Sequence, residues 1–151
     1  GSLSDFDMGQ SAWTLELWIY MTISGSSYGH IFWCGGQGNQ GELKVWSGDG
    51  KPYIYSSSGS GVSSPTAVTS NTWTYLVVER YSGTMSMWIG GSRVAQSTSM
   101  PTGGTPGSAG LGISYNSEYY PMYVDEVRWS TVARYQGAAT IPVQSTSWPE
   151  R

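Results

Sequence analysis

Hydrophobic and polar positions alternate with period two along most of this chain, as a β-strand with one buried face requires. Residues 13–20 read WTLELWIY, with Trp13, Leu15, Leu17 and Ile19 on one face and Thr14, Glu16, Trp18 and Tyr20 on the other. A Ser/Gly loop at 24–29 leads into the apolar run 30–34, a second strand ended by Gly35-Gly36. Residues 42–46 and 53–55 flank Ser47-Gly48-Asp49-Gly50, and Asp-Gly between alternating runs signals a hairpin. Residues 73–80 (WTYLVVER) are apolar on both faces in their middle, which fits a strand at the centre of a packed sheet. Residues 84–89 alternate again, and Gly90-Gly91 can supply the positive φ angles of a two-residue turn back into 93–96. Two late strands, 111–115 and 122–129, flank an aromatic loop at 116–121. Residues 131–135 are read as one helical turn, and the tail from Gly137 as extended and Pro-punctuated.

No stretch of ten residues carries a 3.6-residue period, so the pattern predicts an all-β, antiparallel two-sheet sandwich. Its expected core is Leu15, Leu17, Ile19, Leu43, Val45, Ile54, Leu76, Val78, Met85, Met87, Ile89 and Val127. Neither a repeat nor a linker divides residues 1–151, which are read as one domain. Gly1-Ser2 is read as a cloning scar, and the chain as a piece of a longer protein.

A 151-residue globule buries roughly 68–70% of its unfolded surface, so one core suffices without staples. Cys34 is the single cysteine and His30 the single histidine, which rules out an intrachain disulfide and leaves no soft ligand set for zinc. Eight Trp and eleven Tyr against two Phe favour rings with a polar handle that can sit at a wet surface. Only 11% of residues are charged, the formal net charge is −3, and Lys and Arg form no cluster, so nucleic acid is not an expected partner. No apolar stretch reaches the roughly 20 residues of a bilayer span, and residues 1–20 lack the basic and apolar regions of a signal peptide; membrane insertion is not expected. Low charge with abundant Ser and Thr suits an extracellular or virion-surface setting.

The segment Asp5-Phe6-Asp7-Met8-Gly9 followed by residues 13–20 resembles the opening of laminin G-like domains of the concanavalin A-like jelly-roll superfamily. Asn71-Thr72-Trp73 with Leu76, Val77 and Arg80 resembles the family's central strand. The run from Met87 to Gly91 resembles its next hairpin, and the run from Tyr123 to Arg128 its late strand. Tyr75, Gly90 and Glu79 depart from the family's usual His, Asn and apolar residue. Ala133-Arg134-Tyr135 is similar to versions found in bacteriophage and bacterial surface proteins. The resemblance implies a jelly roll that binds rather than catalyses. It also implies a further strand before Asp5, so a second copy or the parent protein is expected to cover the N-terminal edge.

Catalytic constellations are thin. His30 lies in the apolar run HIFWC with no Gly-x-Ser-x-Gly nearby. Asp125 and Glu126 are adjacent on a strand and should point to opposite faces. Family resemblance makes Glu16 a structural hydrogen-bond acceptor. Calcium binds at a sheet rim in some relatives, and Asp49, or Asn116 with Glu118, could contribute oxygens, but neither forms a ligand spacing, so no cofactor is expected.

Two aromatic groups are the candidate ligand sites. In the hairpin, a Gly48-Asp49 turn places Trp46 opposite Lys51 and Lys44 opposite Tyr53, whereas an Asp49-Gly50 turn places Trp46 opposite Tyr53 and Lys44 opposite Tyr55. Either register puts Glu42, Lys44, Trp46, Tyr53 and Tyr55 on one face and Leu43, Val45 and Ile54 on the other. Those rings either form a platform for sugars or lie under a neighbouring loop. The second group is the loop carrying Tyr115, Asn116, Tyr119 and Tyr120, where consecutive Tyr119-Tyr120 cannot both turn inward. The expected function is a non-catalytic carbohydrate-binding or adhesion module whose partner is a glycan or cell-surface polysaccharide. A structural or oligomerisation module of a phage fibre is the alternative, and a glycosidase the third reading.

Overall fold

The structure, a computed structural model, describes residues 6, 8, 12–25, 28–34, 41–46, 48–56, 61–99, 109–112 and 121–145. Nine strands form among them: β1 (Trp13–Met21), β2 (Tyr28–Cys34), β3 (Gly41–Trp46), β4 (Pro52–Ser56), β5 (Thr74–Tyr81), β6 (Thr84–Ile89), β7 (Ser92–Ser97), β8 (Ala109–Leu111) and β9 (Met122–Ser130). They make a five-stranded sheet in the order β7-β6-β5-β1-β9 and a four-stranded sheet in the order β4-β3-β2-β8, with every pairing antiparallel. The all-β sandwich expected from the alternation is the observed fold.

The core lies between the sheets, where Leu15, Leu17, Ile19, Leu76, Val78, Met85 and Met87 of one meet Ile31, Leu43, Val45 and Ile54 of the other. At one end Trp129 stacks on Trp13 and Phe32, and Phe6 packs against it with ring centres 5.4 Å apart. This explains why the Asp-Phe-Asp segment matters: its ring closes the core.

Val127 departs from the expected core, being 37% exposed. The register of β9 against β1 shifts between Glu16 and Trp18, and Glu126 sits at φ 48°. An extra residue at a bulge changes which face the later positions take, and β9 is the outer strand of its sheet among the described residues. Residues 131–135 also differ from expectation: they form bends rather than a helical turn.

These bends begin a strap, residues 131–145, that crosses the outward face of the five-stranded sheet. Ile141 and Tyr135 pack there on Tyr75, Val77 and Trp88, and the Trp88 indole N–H donates to Ala138 O at 2.9 Å. Two wholly buried carboxylates hold the strap. Glu16 accepts from Tyr75 Oη at 2.7 Å, from Tyr135 Oη, and from Arg128 Nε at 2.7 Å, with Arg134 Nε at 3.0 Å. Glu79 accepts the backbone N–H groups of Tyr135 at 2.7 Å and Gly137 at 3.0 Å. Left-handed Gln136 (φ 50°) and Gly137 (φ 69°) wrap those amides around the carboxylate, as in an anion-binding nest. The tail then runs extended beside β7, with Ile141 N–H donating to Gly91 O at 2.8 Å and Arg93 N–H to Ala139 O at 2.9 Å.

Gly90 (φ 57°) and Gly91 (φ 82°) form the two-residue turn expected of them. A Cβ on Gly90 would meet nothing within 4 Å, whereas one on Gly91 would lie 2.7 Å from Ile141 O. Gly90→Ala should therefore cost only the left-handed backbone penalty, about 1–2 kcal/mol. Gly91→Ala should cost clearly more because the strap must also move. Chemical denaturation of the two variants measures this, and equal losses would show that the tail does not pack on the turn.

Candidate functional site

The outward face of the four-stranded sheet gathers the hairpin residues. Glu42 pairs with Tyr55, Lys44 with Tyr53 and Val45 with Pro52, which is the register with Trp46 opposite Lys51. The turn is longer than two residues, since Gly50 N–H donates to Trp46 O at 2.7 Å and Trp46 N–H to Lys51 O at 3.3 Å. Gly50 takes φ 69°, and a Cβ there would meet Ile23 Cδ1 at 2.3 Å.

β2 adds Tyr28 to this face, a residue expected in the loop at 24–29. Tyr28 pairs with Trp46, their ring centres 4.4 Å apart, and lies edge-on to Tyr53 at 5.7 Å. The signal was available in Tyr28-x-His30, which extends the period of the following strand by one step. The Lys44 ammonium lies 4.9 Å from the Tyr55 ring centre and 5.7 Å from that of Tyr28, and bonds to the buried Glu42 carboxylate. His30 is buried beside it, with Nδ1 3.9 Å from Glu42 Oε1. Burial, aided by the neighbouring Tyr28 and Glu42, pushes the Tyr53 hydroxyl well above the usual tyrosine range.

Tyr55 of the hairpin and Tyr28 of β2 are exposed, at 42% and 43%; Trp46 and Tyr53 are half-buried. Tyr28, Trp46, Pro52 and Tyr53 wall an open depression of about 330 Å³ whose polar rim carries Asp49, Lys51, Ser63 and Ser64. Asp49 Oδ1 accepts the Lys51 N–H at 3.0 Å, and Asp49 Oδ2 is 3.5 Å from the Lys51 ammonium, so this carboxylate orders the turn. Among the described residues no three His, Cys, Asp or Glu side chains converge as metal ligands. Tyr115, Asn116, Glu118, Tyr119 and Tyr120 lie outside the described residues.

A second depression, of about 380 Å³, opens on the other face of the sandwich, lined by Trp18, Trp73, Asp125, Glu126 and the tail residues 143–145. Asp125 and Glu126, at the β9 bulge, are both among its lining residues. Trp73, 44% exposed, continues the outward row Tyr75, Val77, Glu79 and was legible as such.

Residues 1–138 match a family model described as concanavalin A-like lectin/glucanases superfamily. The chain belongs to the concanavalin A-like lectin/glucanases superfamily. Solved structures repeat the fold at low identity. Domain 4 of an extracellular arabinanase from Geobacillus stearothermophilus, in complex with arabinotriose, is 20% identical with a TM-score of 0.63 over 84% of this chain and 65% of that one. Domains LG4-5 of the mouse laminin alpha1 chain are 15% identical with a TM-score of 0.61, over 82% of this chain and 36% of that one. A carbohydrate binding module from Bacillus subtilis is 16% identical with a TM-score of 0.50, over 68% and 66%. No curated protein matches the sequence. This superfamily member thus spans about a third of the laminin fragment's length.

Tyr53, Tyr75 and Tyr135 all have their hydroxyls pushed above the ordinary value near 10, chiefly by burial; Tyr75 and Tyr135 also bond to the Glu16 carboxylate and lie beside each other. A raised folded pKa favours the neutral phenol, so the stabilisation is complete below about pH 10 and is lost as pH climbs through the folded values. Phenolate absorbance should show these rings titrating late in folded protein, and denaturant titrations should show stability falling above pH 10. Tyr135→Phe should shallow that fall; an unchanged slope would mean that the ring is not buried against Glu16.

Proposed function

We propose that the chain is a carbohydrate-binding module that holds a glycan on the outward face of β2, β3 and β4. The observation that carries this reading is the walled depression in which Tyr28, Trp46 and Tyr53 present ring faces and edges beside Ser63, Ser64, Asp49 and Lys51. Sugar rings offer C–H faces that stack on aromatic rings, while their hydroxyls need donors and acceptors at the edge. Tyrosine and tryptophan supply such area at low entropic cost because few torsions must be fixed. Lys44 and Tyr55 extend the platform along the same face. The loop with Tyr115, Asn116, Tyr119 and Tyr120 remains the other candidate contact.

The kinship with a carbohydrate binding module and with an arabinanase domain in complex with arabinotriose supports the glycan reading. Laminin and extracellular arabinanase among the similar folds support a secreted or surface setting. The resemblance of Ala133-Arg134-Tyr135 to versions in bacteriophage and bacterial surface proteins supports a virion or cell surface as the finer setting. A purely binding role is further supported by the engagement of Glu16 and Glu79 in structural hydrogen bonds.

A glycan array read with the folded protein tests the proposal, followed by calorimetry on any hit. Trp46→Ala and Tyr53→Ala should each weaken binding by about 2 kcal/mol, roughly thirtyfold in Kd. Should Tyr119→Ala or Tyr120→Ala weaken it while both hairpin variants bind normally, the loop is the site and the sheet face is not.

A further inference from the structure

We infer that the glycan held on the outward face of β2, β3 and β4 is electrically neutral, so that carboxylated, sulfated and aminated sugars are all selected against. The inference rests on the glycan reading of that face and adds the class of sugar to it. Recognition of a carboxylate or sulfate calls for a cation that can turn to meet it. The chain has seven Lys and Arg, and each of the six among the described residues is engaged by the protein itself. Arg128 and Arg134 are bound to the Glu16 carboxylate, Arg93 to Gly137 O, and Arg80 to Met8 O at 3.2 Å. Those four belong to the five-stranded sheet and its strap, away from the hairpin. The seventh, Arg151, lies outside the described residues.

On the hairpin face itself, Lys44 bonds to the buried Glu42 carboxylate, and the Lys51 ammonium lies 3.5 Å from Asp49 Oδ2. Of the described residues that wall the depression, only Asp49 and Lys51 carry charge, one of each sign. A sugar carboxylate that reached Lys51 would stand beside Asp49 as well, so attraction and repulsion offset. His30, the single histidine, is buried beside Glu42, out of a ligand's reach. The chain as a whole carries a net charge of −3, and its long-range field therefore repels a polyanion too. An ammonium-bearing sugar fares no better. The Lys44 ammonium already lies 4.9 Å from the Tyr55 ring centre and 5.7 Å from that of Tyr28, on the electron-rich faces that would attract a cation, and a second ammonium there meets like charge. What the face offers instead is ring area on Trp46 and Tyr53, the exposed Ser63, and an ion pair with donors and acceptors at its edge. A neutral sugar suits this surface, since its hydroxyls can bond to both members of the pair without breaking it.

An array of neutral oligomers (glucose, galactose, xylose, arabinose, mannose), uronic acid oligomers, sulfated glycosaminoglycans and glucosamine oligomers, read with the full chain and followed by calorimetry, tests this. The best neutral oligomer should bind at least about tenfold more tightly than any charged one, and its Kd should be the same at low and high salt. Asp49→Asn keeps the oxygen that accepts the Lys51 N–H but removes the charge that offsets the ammonium. Uronic acid oligomers should then gain roughly fivefold relative to neutral ones, with circular dichroism checking the fold. An unaltered ratio in that variant would overturn the inference. So would an acidic or aminated oligomer that binds the parent as tightly as the neutral ones and loses affinity in Trp46→Ala. Failure of the underlying glycan reading is distinct, since then no oligomer binds, or Trp46→Ala and Tyr53→Ala leave every affinity unchanged, and the inference falls with it.

Discussion

The buried carboxylate of Glu16 is the constraint on which the outer half of this sandwich depends. A charge with no solvent access must be met by charged or hydrogen-bonded partners, and here two arginines and two tyrosines from β5, β9 and the strap converge on it. Removing one partner of such an arrangement typically costs about 3–5 kcal/mol, because the other charge is left buried and unpaired. The network therefore does more than add a bond. It ties down the start of the strap through Arg134 and Tyr135. Glu79 fixes the next step, collecting the amides of Tyr135 and Gly137, after which Ile141 reaches Gly91.

Much of the fold was legible because side-chain parity in a strand is unforgiving. The alternation of Trp13 to Tyr20 separated the core residues Leu15, Leu17 and Ile19 from Thr14, Glu16 and Trp18, and the hairpin rings fell on one face in both registers considered. Gly90-Gly91 announced its turn because few other residues take two positive φ angles in succession. The apolar middle of residues 73–80 was also informative, though its cause is mixed: β5 is central in its sheet, and its outward residues Tyr75 and Val77 are covered by the strap. The strap itself carried no period to detect. Its residues are held by side chains far away in sequence, and bends of that kind leave no local signature beyond small residues and an Arg-Tyr pair.

One inserted residue accounts for the clearest departures. Parity arguments assume an unbroken ladder, and the bulge at Glu126 breaks it. Val127 then lies against solvent at an outer strand, and Asp125 and Glu126 face one depression. Val124 and Trp129 both pack on the core although they lie five positions apart, and an odd interval between two inward residues requires a change of phase along the strand; nothing in Asp-Glu-Val announces where it falls.

The two outward faces thus reach different ends from similar material. On the four-stranded sheet the aromatic rings stay open at Tyr28 and Tyr55, and the buried carboxylate of Glu42 is met by Lys44 from the next position but one on its own strand. Such a local pairing needs no covering segment. On the five-stranded sheet the buried carboxylates draw a segment of the chain over them, and the rings beneath, Tyr75 and Trp88, become a second small core. At the Trp18 and Trp73 end that face is concave and open. Where a carboxylate finds its cation therefore decides which surface of this sandwich the strap covers.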